Sequence, residues 1–119
     1  MRTQNLGLLG EKIASQYLLL QGYKILDRNF RSRFGEIDIV AQEKDVLVFV
    51  EVKTRWSDNY GLPEEAITAG KIKKIIKAGQ YYKLLHPELS ASLRLDAVAV
   101  ELDSDGAVKD IRLIKNLTS

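Results

Sequence analysis

Two short runs carry the residue types that could do chemistry, Glu36-Ile37-Asp38 and Glu51-Val52-Lys53. Each interrupts a strand-like stretch. Glu36 to Ala41 alternates apolar and polar residues, and Val46 to Lys53 is the strongest strand candidate because it is rich in β-branched residues. Side chains alternate along a strand with a period of two, so Glu36, Asp38 and Val40 are expected on one face and Ile37, Ile39 and Ala41 on the other. If Lys44-Asp45 is a two-residue hairpin loop, Gln42 pairs near Leu47, and the register sets Asp38 opposite Glu51 and Glu36 opposite Lys53. An odd loop length would separate the acids.

Carboxylates opposed across a strand pair, with Cα atoms about 4.5 to 5.5 Å apart, repel one another unless a cation lies between them. Oxygen ligands with open positions suit Mg²⁺ or Mn²⁺, which bind one or two carboxylates and fill the other octahedral positions with water and phosphate oxygens. Lys53, two residues beyond Glu51, would point into the same site and orient or deprotonate a water, or neutralise charge developing on phosphorus. The plainer alternative is a salt-bridge ladder in which Glu36 pairs Lys53 and Asp38 is exposed at a sheet edge.

These runs need elements to hold them. Leu9, Ile13, Tyr17 and Leu20 recur at helical spacing from Leu8 to Gln21, with Gly22 as a C-terminal stop. Tyr23 to Arg31 reads as a first strand, and the two strands bearing the acids follow. Thr54 to Leu62 reads as a loop, and Pro63 opens a long helix closed by His86-Pro87, because the residue before proline leaves the α region. Gly70 and Gly79 would weaken that helix. Leu93 to Leu102, a turn at Asp103 to Gly106, and Val108 to Ile114 supply two more strands. The order αβββαββ predicts an α/β fold with a mixed central sheet flanked by helices, its helix after the third strand returning the chain for a parallel pairing.

With 119 residues and 45% hydrophobic content, one domain spanning residues 1–119 is expected. Cysteine is absent, which excludes disulfides and thiolate metal sites and fits the cytoplasm. Apolar runs such as Val46 to Val50 are far shorter than the roughly 20 residues that cross a bilayer, so no membrane partner is expected. A net charge of +2 is too small to announce a nucleic-acid binder, and distribution must decide.

Gly35 to Ala41, Val48 to Arg55 and Gly61-Leu62-Pro63-Glu64-Glu65-Ala66 together resemble the YraN-like family of uncharacterised bacterial proteins, which has the restriction-endonuclease-like PD-(D/E)XK fold. The segment is also similar to archaeal Holliday-junction resolvases. The resemblance runs from the first helix to Asp96 and Val98. It implies a metal-dependent endonuclease acting on DNA, including branched DNA, with Asp38, Glu51 and the Val52 backbone carbonyl as ligands of Mg²⁺ or Mn²⁺ and Lys53 as catalytic lysine. Glu11 matches the first-helix glutamate of the resolvase-like branch, either as a further ligand or in a buried bridge to an arginine such as Arg31. Glu36 supports the site. A resolvase-like activity would call for a two-fold homodimer. The ending Asn116-Leu117-Thr118-Ser119 departs from the family's aromatic close.

Arg28, Arg31, Arg33 and Arg55 lie near the ends of the strands bearing the acids, and Lys71, Lys73, Lys74 and Lys77 cluster on the second helix. These cations either line a phosphate track or form solvated faces. Trp56 and Tyr60 could stack on unpaired bases or simply pack. His86 is read as structural. A different class of function remains open, a nucleic-acid-binding or interaction module that keeps the fold and does not cut.

Overall fold

The computed structural model describes residues 5–57 and 61–118, so Tyr60 lies outside the described residues. Helix α1 spans Leu6–Leu20, strands β1 to β3 span Lys24–Ser32, Gly35–Glu43 and Val46–Trp56, and helix α2 spans Ala69–Leu85. Strands β4 and β5 span Leu93–Leu102 and Val108–Ile114. The sheet order is β1-β2-β3-β4-β5, with β3 and β4 the parallel pair and the other neighbours antiparallel. This is a mixed α/β architecture in the expected element order.

Each helix covers one face. On the α1 side, Ala14 and Leu18 pack on Ile39, Ala41, Val48, Val50, Val52, Val98 and Val100, nearly all with no solvent exposure. On the α2 side, Ile75, Ala78 and Tyr82 pack on Ile37, Val40, Leu47, Phe49 and Leu95. A central strand buried on both faces reads as a continuous apolar run, and β3 does from Val46 to Val50.

Local signals explain most boundaries. The Asn5 side chain accepts a hydrogen bond from the Leu8 amide at 3.1 Å and caps α1, while Gly22 leaves it at φ +93°. Pro63 does not open α2. Pro63–Ala66 forms a separate 3₁₀ turn, the chain is extended at Ile67, and Thr68 caps α2 by accepting from the Lys71 amide. The expected loop from Thr54 is likewise shortened, because β3 continues to Trp56, opposite Leu102 of β4. Among the described residues no helix is long and apolar enough to cross a membrane.

Candidate functional site

The hairpin between β2 and β3 has the two-residue loop that the site requires, with Glu43 opposite Val46 and Gln42 opposite Leu47. The ladder then stops at Ile39 opposite Val50, one pair short of Asp38 and Glu51. On the other side of β2, Arg28 faces Ile39 and Phe30 faces Ile37, but Asn29 and Asp38 between them do not pair. Asn29 is in the left-handed region at φ +54°, a conformation asparagine tolerates better than most residues, and it turns β1 out of the ladder there. Asp38 therefore stands in a gap on both flanks.

The gap breaks the alternation expected of β2. Ile37 packs with Val40 on the α2 side, whereas Ile39 and Ala41 pack on the α1 side, so the expected grouping of Ile37 with Ile39 and Ala41 does not hold. Freed from the pleat, the Asp38 carboxylate accepts the Val52 amide at 2.8 Å. The ladder does not set Asp38 opposite Glu51, yet their carboxyls still meet as hydrogen-bond partners, whereas the expected Glu36–Lys53 pair is replaced. Glu36 meets Arg31 at 3.7 Å, and Lys53 meets Glu51 at 3.3 Å.

Three carboxylates converge at the gap. Oxygens of Glu11, Glu36 and Asp38 all lie within 4.8 Å of one another. Gly10 makes this possible, because a Cβ built there would fall 1.7 Å from the Thr54 hydroxyl; without a side chain, α1 settles onto β3 and delivers Glu11. The bridge from Glu11 to Arg31 does not form, and Glu11 Oε1 is closed off from solvent without a hydrogen-bond partner.

The electrostatics follow from that crowding. Burial, then the Glu51 carboxyl as hydrogen-bond partner and as charge, push Asp38 up to about 8; the Val52 amide opposes them. Burial also raises Glu11, against the Asn29 amide and with help from Glu36. Oxygens on opposite sides of one Mg²⁺ or Ca²⁺ are roughly 4 to 5 Å apart, so the trio has the spacing of a cation site. The unpartnered Glu11 oxygen and the raised Asp38 both follow from burying several carboxyls against one another.

Lys53 lies on the other flank with an unforeseen neighbour, Lys71 from the first turn of α2. Burial alone would lower Lys53, but the Lys71 nitrogen and the Glu51 and Asp38 charges outweigh it and hold Lys53 high. Lys71 is lowered, first by Lys53 beside it and then by burial. Sequence reasoning placed Lys71 among the helix lysines only. Its signal was position, the third residue after the Thr68 cap of the helix following the strand that bears Lys53.

Of the basic residues expected at the site, Arg31 and Arg33 are exposed around the β1–β2 turn and Arg55 is half-buried near the end of β3. His86 stacks on Tyr82 with ring centres 4.2 Å apart, a packing role.

The family described as "Uncharacterised protein family UPF0102" matches residues 10–100. UPF0102 proteins of Syntrophus aciditrophicus and Syntrophomonas wolfei are 48% and 47% identical over 116 and 106 residues, covering 96% and 89% of this chain and 90% and 91% of theirs. One from Clostridium acetobutylicum is 45% identical over 107 residues, 90% of this chain and 88% of its own. Among solved structures, Pyrococcus furiosus SfsA in complex with Ca²⁺ aligns over 92% of this chain and 63% of its own, less than two thirds, at 17% identity and a TM-score of 0.38.

Proposed function

The chain belongs to the uncharacterised family UPF0102, and from that premise and its side chains we propose that it is a divalent-metal-dependent endonuclease of restriction-endonuclease-like fold that hydrolyses DNA phosphodiester bonds. The observation that carries the reading is the convergence of Glu11, Glu36 and Asp38 in the gap where β2 leaves β3, with Glu51 and Lys53 on its far flank. Once they have lost their protons, the acids repel one another and a phosphodiester, so a Mg²⁺ or Mn²⁺ ion is required to bring them together.

Asp38 and Glu11 would be the central holders of the ion, with Glu51, Glu36 and the Val52 carbonyl completing the set. The bound cation would supply Lewis acidity toward the phosphate and an acidified water. Glu51 positions Lys53 through their 3.3 Å ion pair, and the Lys53 ammonium balances charge growing on the phosphate oxygens. Lys71 adds a second donor on the same flank. Arg31 and Arg55 contact phosphates away from the bond that breaks, and Arg33 contacts the nucleic acid at the β1–β2 turn. Branched DNA and a two-fold pairing of sites are the finer form of this reading, which the resolvase-like motif order supports.

Purified protein incubated with Mn²⁺ and a panel of branched, single-stranded and duplex DNA should cut at least one substrate. Asp38→Asn and Lys53→Ala should each lower the rate by roughly 10²- to 10⁴-fold. Cleavage that persists unchanged in both variants overturns the assignment. The second reading, a binding module that does not cut, is favoured by α2, which carries five lysines and no acid. It predicts DNA binding that is indifferent to Mn²⁺ and to Asp38→Asn.

A further inference from the structure

A groove of about 480 Å³ lies between the β1–β2 turn and α2, lined by Arg33, Phe34, Lys77, Gln80, Tyr81 and Leu84. Its aromatic wall is ordered. Tyr81 meets Phe34 edge to face at 5.7 Å between ring centres, and the Arg33 guanidinium lies over the Phe34 ring at 4.9 Å. Tyr81 nevertheless keeps 37% of its surface exposed. Phe30 also flanks the Tyr81 ring, tilted by 36° at 6.2 Å, so the partly exposed tyrosine and the guanidinium over Phe34 form one aromatic and cationic surface against which a further flat π-system can lie.

The groove is joined to the acid site by charge. Lys71, Lys74, Lys77, Tyr81 and Leu84 follow one another at intervals of three and four residues, so they form one stripe along α2. The stripe begins at Lys71, beside Lys53. It crosses the β1–β2 turn at Lys74, whose Cβ lies 3.7 Å from where a Gly35 Cβ would be, and ends in the groove. Helix α2 contains no acidic residue to interrupt it. At about 1.5 Å per residue, Lys71 to the Lys77–Tyr81 turn spans roughly 9 to 15 Å, the reach of a few nucleotides of a DNA strand.

We propose that this groove is a nucleobase subsite, which takes one unpaired base of a DNA strand while Lys74 and Lys71 hold the phosphates between it and the acid site. The occupant is single-stranded DNA, since a base inside a duplex offers no free face for stacking. Tyr81 supplies the stacking face, Arg33 covers the outer side, and Lys77 neutralises the adjoining phosphate. The subsite deepens the endonuclease reading, because it makes the substrate a DNA with unpaired nucleotides a few positions from the bond that is cut.

The test is binding by wild-type protein in EDTA, where no metal-dependent cleavage occurs, to a single-stranded oligonucleotide containing 2-aminopurine and to a fully paired duplex. Stacking should quench the 2-aminopurine fluorescence. Tyr81→Leu, which keeps apolar packing but removes the ring, should abolish the quench and weaken single-strand binding by roughly five- to a hundredfold, with duplex affinity changed less than twofold. Tyr81→Phe should bind like wild type. Lys74→Glu, exposed on the helix, should weaken single-strand binding without removing the quench at saturation. Equal single-strand affinity and quench in wild type and Tyr81→Leu overturn the subsite. If binding depends on Tyr81 but no substrate is cut with Mn²⁺, the subsite stands and the endonuclease reading falls; cleavage with Tyr81-independent binding has the opposite meaning.

Discussion

Asp38 concentrates the electrostatic strain of the site. Its carboxyl is pushed from 3.8 to about 8 by burial and by Glu51, so between those values the folded protein holds a proton that the unfolded chain releases. A raised folded value stabilises the protein fully below the unfolded value, and the contribution is lost as pH rises toward 8. Metal-free wild type should therefore lose stability from pH 5 to pH 8 through this residue. Asp38→Asn, neutral throughout and still able to accept the Val52 amide, should be more stable than wild type at pH 8 by on the order of 2 kcal/mol, and the gain should shrink at pH 5. Urea unfolding in EDTA at both pH values measures this, and a variant less stable than wild type at pH 8 contradicts it. Added Mn²⁺ should stabilise wild type and leave Asp38→Asn nearly unmoved.

At the scale of elements, two helix glycines hold α1 and α2 against the sheet and a third does not. A Cβ at Gly10 would meet Thr54 at 1.7 Å, and one at Gly79 would meet the Phe49 ring at 2.7 Å, whereas Gly70 has nothing nearer than the Thr68 hydroxyl at 3.8 Å. Sequence alone marks Gly70 and Gly79 equally as weak points of α2. Gly10→Ala should cost about 2–3 kcal/mol and also reduce Mn²⁺ affinity, since it lifts Glu11 away from the gap. Gly70→Ala, on an exposed helical surface, should gain about 0.5–1 kcal/mol. Chemical denaturation of the two variants side by side decides the matter, and a harmless Gly10→Ala would mean that α1 does not sit where its packing places it.

Across the whole molecule, a second polar cluster ties the chain after β5 to the sheet. Asp96, fully buried on β4, accepts from Arg94 and Tyr23, each within 2.9 Å, and from the Asn116 amide at 3.0 Å. Arg94 also reaches Glu43 at the β2–β3 hairpin, which Lys115 joins at 2.8 Å. The cluster joins the connection between α1 and β1, strands β2 and β4, and the chain after β5. Removing the carboxylate strands Arg94; Asp96→Ala should cost about 3–5 kcal/mol, and Tyr23→Phe only about 1–2 kcal/mol. Lys115 and Arg94 hold Glu43 below the usual carboxylate range. That contribution is present above the unfolded value of 4.5 and is lost as pH falls through the folded one, so the cluster weakens in acid. Thermal melts of both variants at neutral and acidic pH test the ranking, and equal losses would mean that Arg94 finds another partner.

The strands and their order along the chain were legible in the sequence, because a period of two is a local property, whereas the two-residue loop at Lys44-Asp45 stood there only as a condition that the structure meets. Given that loop, the pairing register up to Ile39 and Val50 follows, and with it the nearness of Asp38 to Glu51-Val52-Lys53. Only the tertiary structure decided that the ladder opens at Asp38, since that depends on the left-handed turn of Asn29 in a different strand. Glu11 enters because glycine lets α1 lie on β3, and Lys71 enters because α2 begins after Thr68 rather than at Pro63. Sequence spacing determined which strands bring the acids together; how far those strands part, and which helix side chains reach the gap, is a matter of packing between residues distant in the chain.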